Sequence, residues 1–180
     1  MKKILSIALI TITFTACNTY KPDTSGFSEE YKQKEQAFLD DFKIKYNNAS
    51  TNDEKEEFAF EIGFRNMNLG NYKNAIKYYD IVLSYNPAHP QALNNLAVMY
   101  EEMGEIEKAL KYEQQLYNTN PTNVEIVGDT IRLLVKNEQF NDAHGVLDTF
   151  AGTAEGKNQA EFLSEQMQYI VDEKEKIKNN

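Results

Sequence analysis

Cys17, His89 and His144 hold all of the chain's thiol and imidazole chemistry. Such groups ligate metals or move protons when several of them converge. One cysteine and two histidines fall short of a His/Cys metal cluster. His89 sits in an Asn86-Pro87-Ala88-His89-Pro90 turn, and His144 in a helical stretch. The acidic pairs Asp40-Asp41 and Glu101-Glu102 are of a type suited to acid–base work. Adjacent residues on a helix point in different directions, however, so these carboxylates do not converge and belong on a solvated surface. The sequence carries no Gly-rich phosphate loop after a strand, no nucleophile elbow and no His-Glu-x-x-His helix. It therefore assigns no catalytic, metal-binding or cofactor-binding residue, and the chain reads as a non-enzyme.

The single cysteine has a different chemistry in view. Lys2 and Lys3 precede an uncharged, mostly apolar run from Ile4 to Ala16. A run of this length is too short for a membrane-spanning helix, which needs roughly 20 residues. The layout is that of a secretory signal. It closes on Phe14-Thr15-Ala16-Cys17, which resembles the bacterial lipobox, although leucine is the usual residue where Phe14 stands. That resemblance implies a lipoprotein signal peptide over 1–16 and a mature chain that begins at Cys17. Acyl chains, palmitate among them, would be carried on this residue. It also implies the bacterial cell envelope. Asn18 stands where aspartate commonly retains such proteins in the inner membrane, which favours the outer membrane, facing the periplasm. Residues 17–27 include Lys21-Pro22-Asp23-Thr24-Ser25-Gly26 and read as a flexible tether.

From Cys17 onward the chain carries all 28 acids and 17 of the 19 bases, a net charge of −11. That balance disfavours nucleic acid and anionic lipid headgroups, both of which want Lys/Arg clusters. Membrane contact is expected through the N-terminal lipid alone.

The elements that must position any binding surface follow from a repeat. Gly70 and Gly104, Ala75 and Ala109, and Pro87 and Pro121 are each 34 residues apart. Small residues at Gly63/Ala97 and Ala75/Ala109 allow close helix approach, and Gly70 and Gly104 permit tight turns. Asn-Pro at 86–87 and 120–121 stops a helix, and Pro90 suits the first turn of the next. This pattern resembles the tetratricopeptide repeat, in which helix A and helix B form a hairpin. The first unit, 56–89, matches at Ile62-Gly63, Ala75, Tyr79 and Pro87. The second, 90–123, matches at Leu96-Ala97, Tyr100, Ala109 and Pro121. Departures include Asn66 in place of tyrosine and Glu113 in place of the helix B aromatic. A third unit, 124–157, is degenerate: Ala143 and Phe140 keep the period, but Glu138 replaces the turn glycine. Thr122-x-x-Glu125 is read as its capping box.

Two amphipathic segments flank the repeats. The segment 28–52 forms an N-terminal helix with Phe27, Tyr31, Phe38, Phe42 and Tyr46 on one stripe over 28–48. The segment 158–180 forms a C-terminal capping helix with Phe162, Leu163, Met167, Ile170 and Val171 on one face, as a solenoid end requires. The expected fold is all-α. It is a short right-handed superhelix of about three helical hairpins, closed by a helix at each end.

The family resemblance also implies a concave groove lined by the A helices. Transferred to this chain, its positions are Glu57, Phe60, Phe64, Met67 and Asn68 in the first unit. The second unit supplies Gln91, Asn94, Val98, Glu101 and Glu102. The third supplies Glu125, Gly128, Arg132, Val135 and Lys136. Phe60, Phe64 and Met67 are expected to seat apolar side chains of a partner, with Asn94 bonding its backbone and Gln91, Val98 and Arg132 completing the face. The opposing expectation is that the aromatic residues pack against the 28–48 helix. The phenylalanines stand where carboxylate-clamp variants of the family use polar residues, so capture of an acidic chain end is not expected.

These features point to a non-catalytic protein–protein interaction scaffold, a lipid-anchored periplasmic adaptor for an envelope assembly. The partner would be another envelope protein or peptide. Alternatives are a pilotin or secretin-type accessory, an outer-membrane-assembly accessory, a self-associating structural module, or a regulator of a cell-wall enzyme.

Overall fold

A computed structural model describes residues 26–178. The expected signal segment 1–16, Cys17, most of the expected tether and the last two residues of the C-terminal segment lie outside the described residues. Among the described residues there are eight α-helices, one short 3-10 turn and no strand. The helices are α1 (Glu29–Asn48), α2 (Asn52–Asn68), α3 (Tyr72–Tyr85) and α4 (Pro90–Glu102), followed by α5 (Ile106–Thr119), α6 (Val124–Lys136), α7 (Phe140–Ala151) and α8 (Ala160–Lys178). The pairs α2/α3, α4/α5 and α6/α7 are three successive hairpins of the tetratricopeptide kind. Helix α1 packs on α2, and α8 packs on α6 and α7.

The three hairpin turns share one backbone device. Gly70, Gly104 and Glu138 all adopt positive φ, at 74°, 76° and 62°. In each, the next residue's amide reaches back five positions: Asn71 N to Asn66 O, Glu105 N to Tyr100 O, and Gln139 N to Leu134 O, at 2.8, 2.8 and 2.9 Å. These bonds satisfy carbonyls left open at the helix C-terminus. Glu138 thus holds the turn of the third hairpin in a conformation that disfavours a Cβ by roughly 1–2 kcal/mol.

Helix starts differ from the sequence reading at two places. The N-cap of α6 is Asn123, not Thr122. Its Oδ1 accepts from the Glu125 and Ile126 amides at 2.9 and 3.2 Å. Glu125 is therefore one residue too early in the helix to close a box. The capping box is at Thr51 and Glu54. The Glu54 amide donates to Thr51 Oγ1 at 3.2 Å, and Glu54 Oε2 accepts from the Thr51 amide at 3.1 Å. It starts α2 at Asn52, one turn before position 56, and α1 ends at Asn48 instead of running to 52.

Packing explains why the family's small positions matter here. A Cβ built on Gly63 would lie 2.9 Å from Tyr79 Cε1, so any larger residue there forces the buried ring or the helices to shift. Tyr79 is fully buried, and its hydroxyl accepts from Asn95 Nδ2 at 2.7 Å, linking the first hairpin to α4. In the second hairpin Ala97 fills the glycine position, and the shorter Glu113 takes the ring's place. One buried cluster gathers around Tyr79, Leu96 and Met99, and another around Val127, Leu134 and Phe150. Tyr100 packs against both.

The aromatic stripe of α1 is only partly used. Leu39 and Glu35 are its buried residues. Phe42 tilts against Phe58 at 6.3 Å, and Tyr46 meets Tyr78 edge-on at 6.1 Å. Arg65 of α2 places its guanidinium carbon 5.0 Å above Phe38. It also bonds Glu35 Oε2 at 3.3 Å, while Asn68 Nδ2 bonds the same oxygen at 3.1 Å.

Candidate functional site

Helix α2 carries Phe60 and Phe64 one turn apart, so both project from the same side. Gln91 and Asn94 of α4 are three residues apart and likewise share one side of their helix. The fold brings these four residues to a single open groove of about 530 Å³ between α2, α4 and the first turn of α6, where Glu125 and Ile126 complete the wall. Gln91 and Asn94 are exposed, and no side-chain hydrogen bond engages either among the described residues.

Phe60 and Phe64 are half-buried. Phe60 lies 5.6 Å from Tyr79, and His89 stacks on it at 5.0 Å with planes 24° apart. His89 is fixed in turn by the helix start, since its Nδ1 accepts from the Ala92 amide at 3.2 Å. No residue of α1 borders this groove. Contacts to α1 are made by Arg65, whose guanidinium also lies 5.2 Å from the Phe64 ring centre, and by Asn68, one turn beyond Phe64.

The other sequence-named residues are placed differently. Val98 is 42% exposed, one turn beyond Asn94 on α4. Met67 is half-buried against the Tyr79 cluster. Val135, at a position the family uses for its groove, is fully buried. Arg132 is half-buried and ion-paired, bonding Glu101 across to α4 and Asp129 on its own helix, the latter at 2.8 Å. Lys136 joins Glu101 as well. Burial opposes ionisation of Glu101, but hydrogen bonding from Lys136 and the charge of Arg132 outweigh it and hold its carboxyl below the usual range. These bases therefore staple α4 to α6.

Beside this staple, Glu113 is 3% exposed. Burial pushes its carboxyl up to about 7. The nearby Asp129 and Glu101 charges add to the effect, and Arg132 works against it.

A second hollow, of about 420 Å³, adjoins the groove and shares Phe60, Glu61 and Gln91 with it. It is edged by Asp53, Glu56 and Glu57, with His89 at its side. Glu61 and Asn95 stand one residue beyond the family positions carried over to this chain, so they escaped the sequence reading. Their shared 34-residue spacing was the available signal. Glu125 also borders a more apolar hollow of about 560 Å³ between α6 and α8, where Phe162 is 59% exposed. Among the described residues, no group of three or more His, Cys, Asp or Glu side chains is placed to hold a metal ion, and no helix is long and apolar enough to cross a membrane.

Residues 66–124 match the tetratricopeptide repeat family model. That span runs from the end of α2 through α5 and includes both glycine turns. No curated protein matches the chain.

Proposed function

We propose that this chain is a non-catalytic docking scaffold whose A-helix face receives an extended segment of another protein. We further propose that it acts as a lipid-anchored adaptor of a bacterial envelope assembly. The observation that carries the docking reading is the groove at Phe60, Phe64, Gln91 and Asn94. Two aromatic rings and two open amides line the same space, and no residue of α1 borders it. Aromatic anchors supply binding energy on desolvation, and amides satisfy a peptide backbone in either polarity. Repeats of this kind commonly bind proteins or peptides, in line with the match over 66–124. The anchor rests on the lipobox-like Ala16-Cys17 and the preceding apolar run. A tether of this kind raises local concentration near membrane-bound partners.

The docking reading is tested by placing a photo-crosslinking amino acid at Gln91 or Val98, and separately at Lys77 on the outer helix α3. A discrete adduct from the first two positions, absent at Lys77 and lost with Phe64→Ser at unchanged melting temperature, is the expected result. Equal adducts from both faces would refute groove docking. The anchor is tested separately by metabolic labelling with an alkyne analogue of palmitate. Label is expected on the native chain and absent from Cys17→Ser, and an unlabelled native chain refutes it.

A second reading has its own observation. Phe162 and Tyr169 are exposed on α8, which has no helix beyond it among the described residues. Self-association through this end predicts a concentration-dependent sedimentation coefficient that Phe162→Ser abolishes.

A further inference from the structure

The groove has a charge as well as a shape. The two adjoining hollows are bordered by Asp53, Glu56, Glu57, Glu61 and Glu125, and by no lysine or arginine. The nearest bases of the A-helix row are already engaged, Arg65 by Glu35 and Glu61, and Arg132 and Lys136 by Glu101. Asp53, Glu57 and Glu125 are exposed and form no ion pair among the described residues. The free charge facing the aromatic floor is therefore negative.

We infer that the groove selects a peptide segment bearing arginine beside apolar side chains. The inference rests on the docking reading above and adds the chemistry of the occupant. Apolar side chains suit the Phe60, Phe64 and Ile126 floor. A cation suits the carboxylates that rim it. Arginine fits better than lysine, because its planar guanidinium stacks on aromatic rings and forks to carboxylates. The fold holds one guanidinium in this manner already. The Arg65 guanidinium carbon lies 5.2 Å from the Phe64 ring centre and 5.0 Å from that of Phe38, while its nitrogens bond Glu35 and Glu61. A peptide arginine in the groove beside Phe60 and Phe64, facing Glu125 or, in the adjoining hollow, Glu57, would bring a second guanidinium to the same combination of rings and carboxylates.

The probe is a fluorescein-labelled peptide, Gly-Leu-Ser-Xaa-Leu-Xaa-Ser-Leu-Gly-amide, with Xaa arginine, glutamine or glutamate. Fluorescence anisotropy with the full chain reads its affinity. The arginine peptide is expected to bind about tenfold more tightly than the glutamine peptide, and the glutamate peptide most weakly. Glu57→Lys with Glu125→Lys should bring arginine binding down to the glutamine level. The milder pair Glu57→Gln with Glu125→Gln should shift it in the same direction by a smaller factor. Asp148→Lys with Glu155→Lys changes net charge equally but lies away from the groove, and should leave the affinity within about threefold. Equal loss in that distant pair would mean bulk charge attraction and would overturn the inference. Equal binding of all three peptides, lost on Phe64→Ser, would overturn the cation preference while leaving groove docking intact. Failure of every peptide to bind would also overturn it, and the crosslinking experiment would then judge docking alone.

Discussion

Glu113 makes the stability of the array depend on pH in a direction that can be worked out. Its carboxyl is raised from 4.5 to about 7 by burial, by Asp129 and by Glu101, against the pull of Arg132. Between those two values the folded chain holds a proton that the unfolded chain has released. The stability linked to this proton is fully present below about pH 4.5 and is lost as pH rises through 7. The shift corresponds to about 3 kcal/mol at most, and relaxation around the anion lowers that figure. Glu113→Gln keeps the shape and removes the titration. The two proteins should have similar urea midpoints at pH 5. At pH 8.5 the glutamine variant should be the more stable, by up to about 3 kcal/mol, or roughly 6–12 °C in melting temperature. Taking the difference between variant and native chain at each pH cancels the other titrating groups, such as Glu101, whose lowered value favours the fold at higher pH. A constant difference between pH 5 and 8.5, or a glutamine variant less stable at pH 8.5, would refute the reasoning.

Other substitutions test the packing directly. Gly63→Ala should lower stability by about 1–3 kcal/mol in a urea titration, because its Cβ would stand 2.9 Å from the buried Tyr79 ring. Glu138→Gly should raise stability by about 0.5–1 kcal/mol through relief of the positive φ, and the exposed 3.8 Å pair with Lys174 that it removes is worth little. A neutral or destabilised variant in calorimetry would count against strain at that turn. Glu35→Ala should destabilise by about 2–3 kcal/mol. It strips both Arg65 and Asn68 of a carboxylate that is itself 5% exposed.

The hairpins were legible because their signals are local. Gly70 and Gly104 mark turns, Pro87 and Pro121 mark helix ends, and the 34-residue spacing relates them. The turn at Glu138 was harder, since three backbone hydrogen-bonding frames are alike where the residue types are not. The end of α1 carries neither glycine nor proline at residues 47–51. The boundary there is set by the Thr51–Glu54 box, whose Thr-x-x-Glu pattern also occurs, unused, at Thr122–Glu125. The groove was legible in part. Phe60, Phe64, Gln91 and Asn94, positions taken from the family resemblance, border one groove. Arg132 and Met67 lie at equally plausible positions but are drawn inward. The contacts that draw them, Glu101 for one and the Tyr79 cluster for the other, come from parts of the chain that no spacing rule connects.

The tyrosine that touches both buried clusters has a mechanical consequence. Tyr100 lies face to face with Tyr112, ring centres 5.6 Å apart and planes within 6°. Interlocked aliphatic side chains resist shear, because each must leave its socket, whereas parallel rings slide at nearly constant separation. A small glide of one ring over the other would let α4 shift against α5 within their hairpin. Such a shift would move Gln91 and Asn94 against Phe60 and Phe64, and with them the width of the slot available to an occupant. The stiffness of that slot is thus tied to two rings at the crossing of α4 and α5, and a Tyr112→Leu exchange would alter the compliance of the array more than its fold.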